Sequence, residues 1–297
     1  MAAWDVVVVG GGAAGLSAGA ACAEAGRSCL VIDRMGAGGE LMNLGPLHDL
    51  EEDLAGPDLA GRLLEQVVTA GAELAIAEVT SLRRNDGLWH VGTTEDAHTA
   101  RAVILAVGLQ PGTLGLAQEA EYEGRGLSHC AACDGPLYAG RPVVVAGSDR
   151  WARQEAADLL TSASRVTLIT QGGTDDAAGR ALGGAIDRAT VLDGRIVAMD
   201  GTPGLTAVTV RLASGEAVTI ATEVVFIQTG RRPGLGFAPD ALARDDDGRL
   251  VADDGGCASL PHLFAAGDAR AGSPRTLAAA MRDGRGAASS ACASLDP

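Results

Sequence analysis

Short runs of apolar, β-branched residues flank a segment of small residues near the start of this chain. Residues 5–9 (DVVVV) form one run of strand length, and residues 28–33 (SCLVID) form a second. Such runs are typical of parallel strands that are buried on both faces. Residues 14–25, between them, are predicted to form a helix of small residues. The pattern therefore predicts a strand–helix–strand unit of an α/β fold.

The same order of elements returns in the middle of the chain. Residues 142–146 (PVVVA) and 165–169 (RVTLI) predict strands, and residues 152–160 predict the helix that joins them. Pro and Gly in residues 110–113 (QPGT) and 231–234 (RRPG) favour turns on either side of this region. The pattern predicts a second strand–helix–strand unit that lies between two linkers.

A glycine-rich turn, GGGAAG, follows the first predicted strand directly. Gly10 would make the tight turn, Gly12 would let the backbone approach a pyrophosphate, and Gly15 would let helix and strand pack closely. Asp33 ends the next strand, where an acid can bind a ribose hydroxyl. The alternative is a glycine-rich turn that binds nothing. The full context of strand, turn, helix, strand and acid favours a dinucleotide site.

Near the C-terminus, the apolar run of residues 263–268 (LFAAGD) ends in a Gly-Asp pair. This places the Asp268 carboxylate at the carboxyl edge of a predicted sheet, where ligands bind in α/β folds. An ordinary aspartate at a strand-to-turn junction is the other interpretation of this residue.

A Cys-x-x-Cys pair, Cys130 and Cys133, suggests redox chemistry. The spacing allows the two sulfurs to alternate between two thiols and one disulfide. The first cysteine of such a pair often has a lowered pKa. Half of a zinc site is the alternative, but the remaining cysteines and histidines supply no second ligand pair at zinc spacing. The sequence therefore favours a redox pair.

Composition narrows the classes of partner. The chain has 297 residues, enough for about two domains. Its net charge of −15 disfavours nucleic acid and anionic membrane surfaces as partners. Every basic residue is arginine, which excludes a Schiff-base lysine and a Walker-type phosphate lysine. We expect no signal peptide and, from six cysteines without a dense framework, a reducing cytoplasm.

Taken together, these motifs resemble the low-molecular-weight thioredoxin reductase family of flavoproteins over nearly the whole chain. The stretches that carry the resemblance are residues 10–15, 38–41, 106–108, 130–135, 229–233, 265–268 and 275–277. The resemblance implies an α/β fold with two Rossmann-like nucleotide-binding domains. Residues 1–114 and 234–297 would form a discontinuous FAD domain, and residues 115–233 an inserted, smaller NADPH-type domain that carries the Cys-x-x-Cys pair. It also implies a homodimer.

The resemblance implies that FAD, rather than NAD, occupies the first glycine-rich site. The residues expected to bind it are Gly10, Gly12, Ala13, Ala14, Gly15, Asp33, Arg34, Gly39, Glu40, Leu41, Asp49, Ala106, Gly108, Gly267, Asp268, Arg275, Thr276 and Leu277. Glu40 stands where the family usually has glutamine, and Val107 where it usually has threonine. Neither change removes the expected pyrophosphate site.

The resemblance also assigns roles around the Cys-x-x-Cys pair. Cys133 is expected beside the flavin, Cys130 is expected to exchange with the partner's sulfur, and Asp134 is expected to act as acid and base. The alternative for Asp134 is a cap on the turn that follows. His129 has two open interpretations: an imidazole that tunes the thiolate or moves protons, or a polar residue at a junction.

The second glycine-rich turn departs from the family's NADPH-binding pattern, Gly-x-Gly-x-x-Ala. It begins at Gly147, but Asp149 replaces the second glycine, where a side chain crowds and a carboxylate repels a diphosphate. The family's arginine cluster for the 2′-phosphate is absent from residues 170–176 (TQGGTDD). Arg150 remains available for one phosphate contact. An aspartate at this position could equally cap the helix, and the two interpretations are compatible.

The sequence thus predicts a FAD-dependent thiol–disulfide oxidoreductase for which NADP(H) is a doubtful partner. Electrons would come from a protein such as ferredoxin, or pass from a dithiol to flavin and then to O2. The substrate would be a thioredoxin-like protein or a small dithiol or disulfide. The alternatives are an ordinary NADPH-dependent thioredoxin reductase and a flavin-binding redox sensor.

Overall fold

The computed structural model describes residues 3–44, 47, 54–172 and 188–296. The chain divides into two compact units. Unit 1 comprises Met1–Gln110 and Arg232–Pro297, and unit 2 comprises Pro111–Arg231. The predicted domain limits, residues 114 and 233, fall close to these divisions. The predicted limits therefore differ from the observed divisions by only a few residues at each boundary.

The elements follow one another in the order that a pair of α/β units requires. The strands are β1 (Trp4–Val9), β2 (Cys29–Asp33), β3 (Glu73–Ile76), β4 (Val79–Asn85), β5 (Leu88–Thr93), β6 (Ala97–Leu105), β7 (Gln110–Pro111), β8 (Leu127–Ser128), β9 (Pro142–Ala146), β10 (Arg165–Ile169), β11 (Thr190–Leu192), β12 (Gly194–Asp200), β13 (Ala207–Leu212), β14 (Ala217–Ala221), β15 (Val225–Ile227), β16 (Arg231–Arg232) and β17 (Leu263–Ala265). The α-helices are α1 (Ala13–Glu24), α2 (Gly56–Ala70), α3 (Glu119–Tyr122), α4 (Ala131–Asp134), α5 (Arg150–Leu159) and α6 (Leu277–Ala293). Short 3₁₀ segments cover Gly39–Asn43, Gly135–Tyr138 and Gly267–Ala269.

Unit 1 is built on one sheet with the order β3-β2-β1-β6-β5-β4, and β17 pairs with β6. The pairs that join β3, β2, β1, β6 and β17 are parallel, and β4 and β5 form an antiparallel extension. Helices α1, α2 and α6 contribute to the apolar core on one face of the sheet. The strands β4 and β5 contribute to the core on the other face, with Leu235, Leu242 and Leu250. Both faces are covered, as continuous apolar strands require.

Unit 2 contains the parallel sheet β11-β10-β9-β15-β8 and the antiparallel sheet β12-β13-β14. Helix α5 covers one face of the parallel sheet through Ala152, Ala156 and Leu159. The antiparallel sheet contributes apolar residues such as Val208 and Val210 to the core on the other face. This arrangement confirms the predicted second Rossmann-like unit.

The predicted elements agree closely with the structure. Strands β9 and β10 have the predicted limits, β1 and β2 differ from prediction by one residue at one end, and α1 differs by one residue at each end. Helix α5 begins two residues earlier than predicted, because Asp149 acts as its N-cap. The antiparallel strands of both units were not anticipated from the sequence. Among the helices that the structure describes, none is long and apolar enough to cross a membrane.

Close packing of α1 on α6 depends on glycine. A Cβ atom at Gly284 would lie 2.1 Å from the backbone oxygen of Ala14, which cannot move away without distorting α1. Gly286 lies on the same helix, and a Cβ there would meet nothing within 4 Å. The two positions therefore form a matched pair for testing helix contact.

We expect Gly284→Ala to destabilise the protein by about 1–3 kcal/mol, since an added methyl must separate two packed helices. Gly286→Ala should instead raise stability by about 0.5–1 kcal/mol, because alanine restricts the unfolded chain and favours helix. Denaturant unfolding of both purified variants measures the difference. Equal stabilities would contradict the close contact between α1 and α6.

Candidate active site

The carboxyl ends of four parallel strands meet at one edge of the sheet in unit 1. Val9 of β1 pairs with Ile32 of β2 and with Leu105 of β6, and Ala265 of β17 also pairs with Leu105. The residues that directly follow these strands therefore come together, although they are far apart in the sequence. In α/β sheets this edge is where ligands bind.

The glycine-rich turn after β1 has the backbone form that its sequence predicts. Gly10 has a φ of +106°, and a Cβ there would lie 2.3 Å from the Ala106 oxygen. A Cβ at Gly15 would lie 1.8 Å from the Gly10 oxygen, so α1 can approach the turn only without one. Gly12 is different, because a Cβ there would meet nothing within 4 Å. Gly12 is the N-cap of α1 and leaves the first amides of this helix open to a ligand.

Asp33 braces the turn from the end of β2. Its Oδ2 accepts a hydrogen bond of 2.7 Å from the amide of Gly11, and its Oδ1 accepts one of 2.8 Å from the amide of Met35. Each carboxylate oxygen has a second lone pair, so these bonds leave the acid able to accept from a ligand hydroxyl as well. Asp33 thus connects the glycine turn to the chain that follows β2.

A cavity of about 440 Å³ opens beside this turn, within the usual size range for ligand pockets. Many of the residues predicted to bind the cofactor line this cavity. They are Gly10, Gly12, Ala13, Ala14, Asp33, Gly39, Glu40, Leu41, Ala106, Gly108, Gly267, Asp268, Arg275, Thr276 and Leu277. The fold therefore brings fifteen of the predicted cofactor residues to one place, from four separate parts of the chain.

Three predicted cofactor residues do not line this cavity. Gly15 lies behind it and serves helix packing, as described above. Arg34 is exposed and lines a smaller adjoining cavity of about 100 Å³ with Glu78 and Phe237. Asp49 lies outside the described residues.

Several lining residues were missed in the sequence. They are Gly38, Leu44, Leu47, Val107, Leu109, Ala266 and Ala280. Six of them are apolar residues that form part of the wall. Gly38, Val107 and Ala266 fall within the stretches that carry the family resemblance, and the other four lie near such stretches. A glycine or leucine beside a motif does not reveal on which side of the chain a cavity will open.

Asp268 adds a carboxylate to the cavity. Burial raises its pKa, and the nearby negative charge of Glu40 raises it further. The Ser273 hydroxyl donates to Asp268 Oδ1 at 3.3 Å and partly compensates. A half-buried carboxylate with a raised pKa gains from additional hydrogen-bond donors, such as the hydroxyls of a polyol chain.

Helix α6 begins at the rim of the cavity. Arg275 has a φ of +57°, an uncommon value for a non-glycine residue. Thr276 Oγ1 then caps the helix by accepting from the amide of Ala279 at 3.2 Å. Left-handed non-glycine residues cluster at ligand clamps, which agrees with the position of Arg275 on the cavity wall.

The residues present fit a dinucleotide cofactor. The open position at Gly12 provides the cradle that a Cβ would fill, and the uncapped amides of α1 face it. Gly108 also has open space beside it and a φ of +59°. Gly12, Ala13 and Ala14 would hold a pyrophosphate, and Asp268 would accept from hydroxyl groups.

A second candidate site, the Cys-x-x-Cys pair, lies in unit 2. Cys130 is the N-cap of α4 and is joined to Cys133 by a disulfide, with their Cα atoms 5.3 Å apart. The amide of Cys133 also donates to Cys130 Sγ at 3.2 Å. Cys133 is exposed and Cys130 is half-buried, so exposure alone does not mark Cys130 as the outer cysteine.

Asp134 is held by Ser128, a residue that sequence reasoning missed. The buried Ser128 hydroxyl donates to Asp134 Oδ2 at 2.7 Å and accepts from the amide of Cys130 at 3.1 Å. One hydroxyl therefore links the carboxylate to the backbone of the redox pair. Asp134 makes no capping hydrogen bond to the 3₁₀ segment that follows it. Its side chain is oriented toward the segment before the disulfide instead.

His129 pairs with Glu123, with 3.2 Å between Nε2 and Oε1. Its Nδ1 is buried and has no hydrogen-bond partner among the described residues. The Gln228 amide donates to the His129 backbone oxygen at 3.2 Å. The imidazole ring therefore contacts Glu123. A role in tuning the thiolate and a role as a polar residue at a junction both remain predictions for His129.

The second glycine-rich turn keeps its first glycine and loses its second. A Cβ at Gly147 would lie 2.0 Å from the Gln228 oxygen, which matches the close approach at Gly10 in unit 1. Asp149 is the N-cap of α5, and its Oδ1 accepts from the amide of Ala152 at 2.9 Å. The carboxylate therefore occupies the helix amide that a phosphate would otherwise use.

An arginine reaches the end of β10 from another strand. A Cβ at Gly172 would lie 2.8 Å from Nε of Arg195, which belongs to β12. Sequence reasoning missed this contact because the family's cations come from the segment directly after the strand. Residues 173–176 of that segment lie outside the described part of the chain.

Three of the remaining cysteines are buried together in unit 1. Cys22 hydrogen-bonds to Cys29 and Cys292; the contact with Cys29 and burial raise the pKa of Cys22, and the hydrogen bond with Cys292 acts in the opposite direction. Burial raises the pKa of Cys292 to about 11. Neutral thiols of this kind behave as small apolar groups. No group of three His, Cys, Asp or Glu side chains in the described ranges is arranged to hold a metal ion.

Comparison with known proteins identifies the family of the chain. The sequence profile of the pyridine nucleotide-disulphide oxidoreductase family matches residues 4–284. Thioredoxin reductase of Treponema pallidum is 35% identical, over 99% of this chain and 97% of its own. The crystal structure of Lactococcus lactis thioredoxin reductase (FR conformation) superposes with a TM-score of 0.76 at 26% identity, covering 98% of both chains. Thioredoxin reductase of T. acidophilum gives a TM-score of 0.72 at 29% identity, again over 98% of both chains.

A Rossmann-like fold with a dinucleotide cavity in one unit and a Cys-x-x-Cys disulfide in the other defines a disulfide oxidoreductase of the flavoprotein class. The chain belongs to the thioredoxin reductase family of the pyridine nucleotide-disulphide oxidoreductases. The expected fold class is thereby confirmed, and so is its class of enzyme.

Gly12→Asp should abolish stable flavin binding while the protein still folds, because aspartate is a good N-cap and the position is open. A carboxylate about 4 Å from a pyrophosphate weakens binding by about a hundredfold or more. Flavin absorbance per mole of purified protein measures the loss. The matched control is Gly61→Asp, an open and exposed position in α2, which should keep its flavin. Full flavin content in Gly12→Asp would contradict the assigned cradle.

Proposed function

We propose that this protein is a FAD-dependent thiol–disulfide oxidoreductase in which the Cys130–Cys133 pair relays electrons to or from flavin, and in which the flavin's other electron partner is not NADPH. The proposal is carried by the N-cap residues of two corresponding helices, one after each glycine-rich turn, which differ between the two units. In unit 1, α1 begins at Gly12, which has no side chain. In unit 2, α5 begins at Asp149, which caps its own helix.

This difference decides which helix accepts a phosphate. Backbone amides at a helix start attract an anion. A capping carboxylate satisfies one of these amides and places its own negative charge at the helix start. A diphosphate would have to displace that carboxylate or lie next to it. Two like charges about 4 Å apart repel by roughly 4 kcal/mol at an effective dielectric of 20. The first site therefore favours a dinucleotide and the second opposes one.

The dithiol chemistry is carried by residues 128–134. Bound FAD would supply a two-electron acceptor and donor that a disulfide lacks. Cys133 would be the sulfur nearest to it, and Cys130 the sulfur that attacks or leaves the partner. Asp134 would move a proton to or from the departing thiolate, and Ser128 keeps its carboxylate oriented for that task.

The partner on the thiol side follows from the relatives, several of which are named thioredoxin reductase. A thioredoxin-like protein is therefore the first candidate, and a small dithiol or disulfide is the second. On the other side, a reduced ferredoxin would donate electrons, or O2 would accept them from a dithiol substrate.

An ordinary NADPH-dependent thioredoxin reductase is the second candidate function. Arg195 supports it, because this guanidinium lies beside Gly172 at the end of β10. An arginine in that place could bind a 2′-phosphate, as the family's arginines do from the adjacent segment. NADPH would bind only if the attraction of Arg195 for a phosphate offsets the repulsion by the carboxylate of Asp149, and this separates the two candidate functions.

Anaerobic reduction of the purified holoprotein separates the candidates. We expect excess NADPH to leave the visible flavin absorbance unchanged over many turnover times of an ordinary reductase. A dithiol that bleaches the flavin, followed by recovery on admission of oxygen, indicates the oxidase route. Bleaching by reduced ferredoxin alone indicates a protein donor.

Rapid bleaching by NADPH would overturn the proposal and support the second candidate. Slow, single-turnover reduction by all three donors would instead indicate a redox sensor.

Cys133→Ser should abolish electron exchange between added dithiol and flavin, because a single thiol cannot close the disulfide. The residual rate of flavin bleaching by dithiol should fall by about a thousandfold or more, as for loss of an essential nucleophile. Cys257→Ser is the matched control, since Cys257 is a free, exposed cysteine of unit 1. Unchanged dithiol turnover in Cys133→Ser would show that the assigned role is wrong.

A further inference from the structure

A second carboxylate lies next to the redox pair in unit 2. Glu155, on α5, accepts a hydrogen bond from the amide of Ala131, the residue directly after Cys130. The side chain of Gln228 also hydrogen-bonds to Glu155, and its Nε2 donates to the His129 oxygen. Glu155 is therefore tied to the backbone on both sides of Cys130.

The environment of Glu155 is unusual for an ionised acid. Its Oε2 is buried and has no hydrogen-bond partner within the described ranges. Burial raises the pKa of Glu155, and the nearby carboxylate of Asp158 raises it further. The hydrogen bonds from Ala131 and Gln228 and the charge of Arg231 act in the opposite direction. An oxygen with no donor is available to bind a proton.

We propose that Glu155 is a positioning residue that couples reduction of the Cys130–Cys133 disulfide to uptake of one proton. The proposal rests on these cysteines being the redox pair, as in the proposed function. Asp134 is a separate group, because Ser128 already donates to it on the other side of Cys130.

Two electrons from a dithiol substrate or a reduced protein donor break the Sγ–Sγ bond. One sulfur takes a proton from solvent and becomes a thiol, and the other remains a thiolate. Glu155 accepts from the amide of Ala131, which lies between the two cysteines, so the new negative charge would favour its protonation and the carboxylate would bind a second proton from solvent. Oxidation reverses both steps and releases both protons.

The charges that surround Glu155 allow this coupling. Asp158 lies one turn further along α5, Arg231 begins β16, and Asp134 belongs to α4. His129 is directed to Glu123. Arg231 stabilises the ionised carboxylate in the oxidised state, while the thiolate favours its protonation in the reduced state.

The test measures the thiol directly. In flavin-loaded Cys133→Ser protein, Cys130 is the remaining thiol of the pair, and its rate of alkylation by iodoacetamide reports its thiolate fraction. Peptide mass spectrometry follows the Cys130 peptide from pH 5 to pH 9. With Glu155 present, we expect two inflections in the rate profile, one from each group.

Adding Glu155→Gln should leave one inflection and raise the rate at pH 7 by about threefold to tenfold, because a neighbouring negative charge is gone. Glutamine still accepts from the Ala131 amide, so the local backbone is preserved. The exposed Cys257 serves as an internal reference whose rate should not change. The matched control is Glu216→Gln, an exposed carboxylate in the turn between β13 and β14, which should keep both inflections.

Superimposable profiles with and without Glu155 would overturn the inference. A second measurement needs no substitution that could disturb folding. In ¹³C-labelled wild-type holoprotein, the midpoint of the Glu155 carboxyl resonance should move to higher pH when the disulfide is reduced, and an unchanged midpoint would equally overturn it. Neither experiment uses NADPH, ferredoxin or O2, so each succeeds or fails independently of which electron partner the protein has.

Discussion

Backbone amides at the start of a helix can be satisfied by a ligand or by the helix's own N-cap, and the two glycine-rich turns of this chain differ in which of these they use. Gly12 leaves the amides of α1 open beside a cavity, whereas the carboxylate of Asp149 occupies those of α5. Both turns keep a first glycine that packs against a neighbouring strand or its extension. The two units therefore share a Rossmann-like geometry and differ at the one position that meets a phosphate. This local difference underlies the cofactor assignment and the doubt about NADPH.

The redox pair is embedded in a network of backbone hydrogen bonds. Ser128 links the Cys130 amide to Asp134, and Glu155 accepts from the next amide along the chain. Hydrogen bonds thus link two carboxylates to the segment that, in the proposed function, alternates between a neutral disulfide and a charged thiolate. A buried acid without a full set of donors responds strongly to such a change of charge. In the proposed function these two carboxylates are the groups that bind and release protons.

Much of the fold and part of the site could be predicted from the sequence. The limits of β9 and β10 came directly from apolar runs, because a buried strand needs nearly every side chain to be apolar. The antiparallel strands β12–β14 could not be predicted, since half-exposed strands carry a weaker pattern. Ser128 was missed because a serine two residues before a cysteine has no distinctive spacing. Its role depends on a hydrogen bond to Asp134 across a turn.

By itself, the sequence determined two strand–helix–strand units, an open glycine turn, a Cys-x-x-Cys pair and an aspartate at a helix start. All of these are local, because they depend on spacing within a few residues. Only the tertiary structure decided that Gly12, Gly108, Asp268 and Arg275 line one cavity. It also decided that Arg195 reaches Gly172 and that Glu155 reaches Ala131. These contacts join residues that are separated along the chain, and their geometry follows from strand pairing and helix packing, which no short sequence window contains.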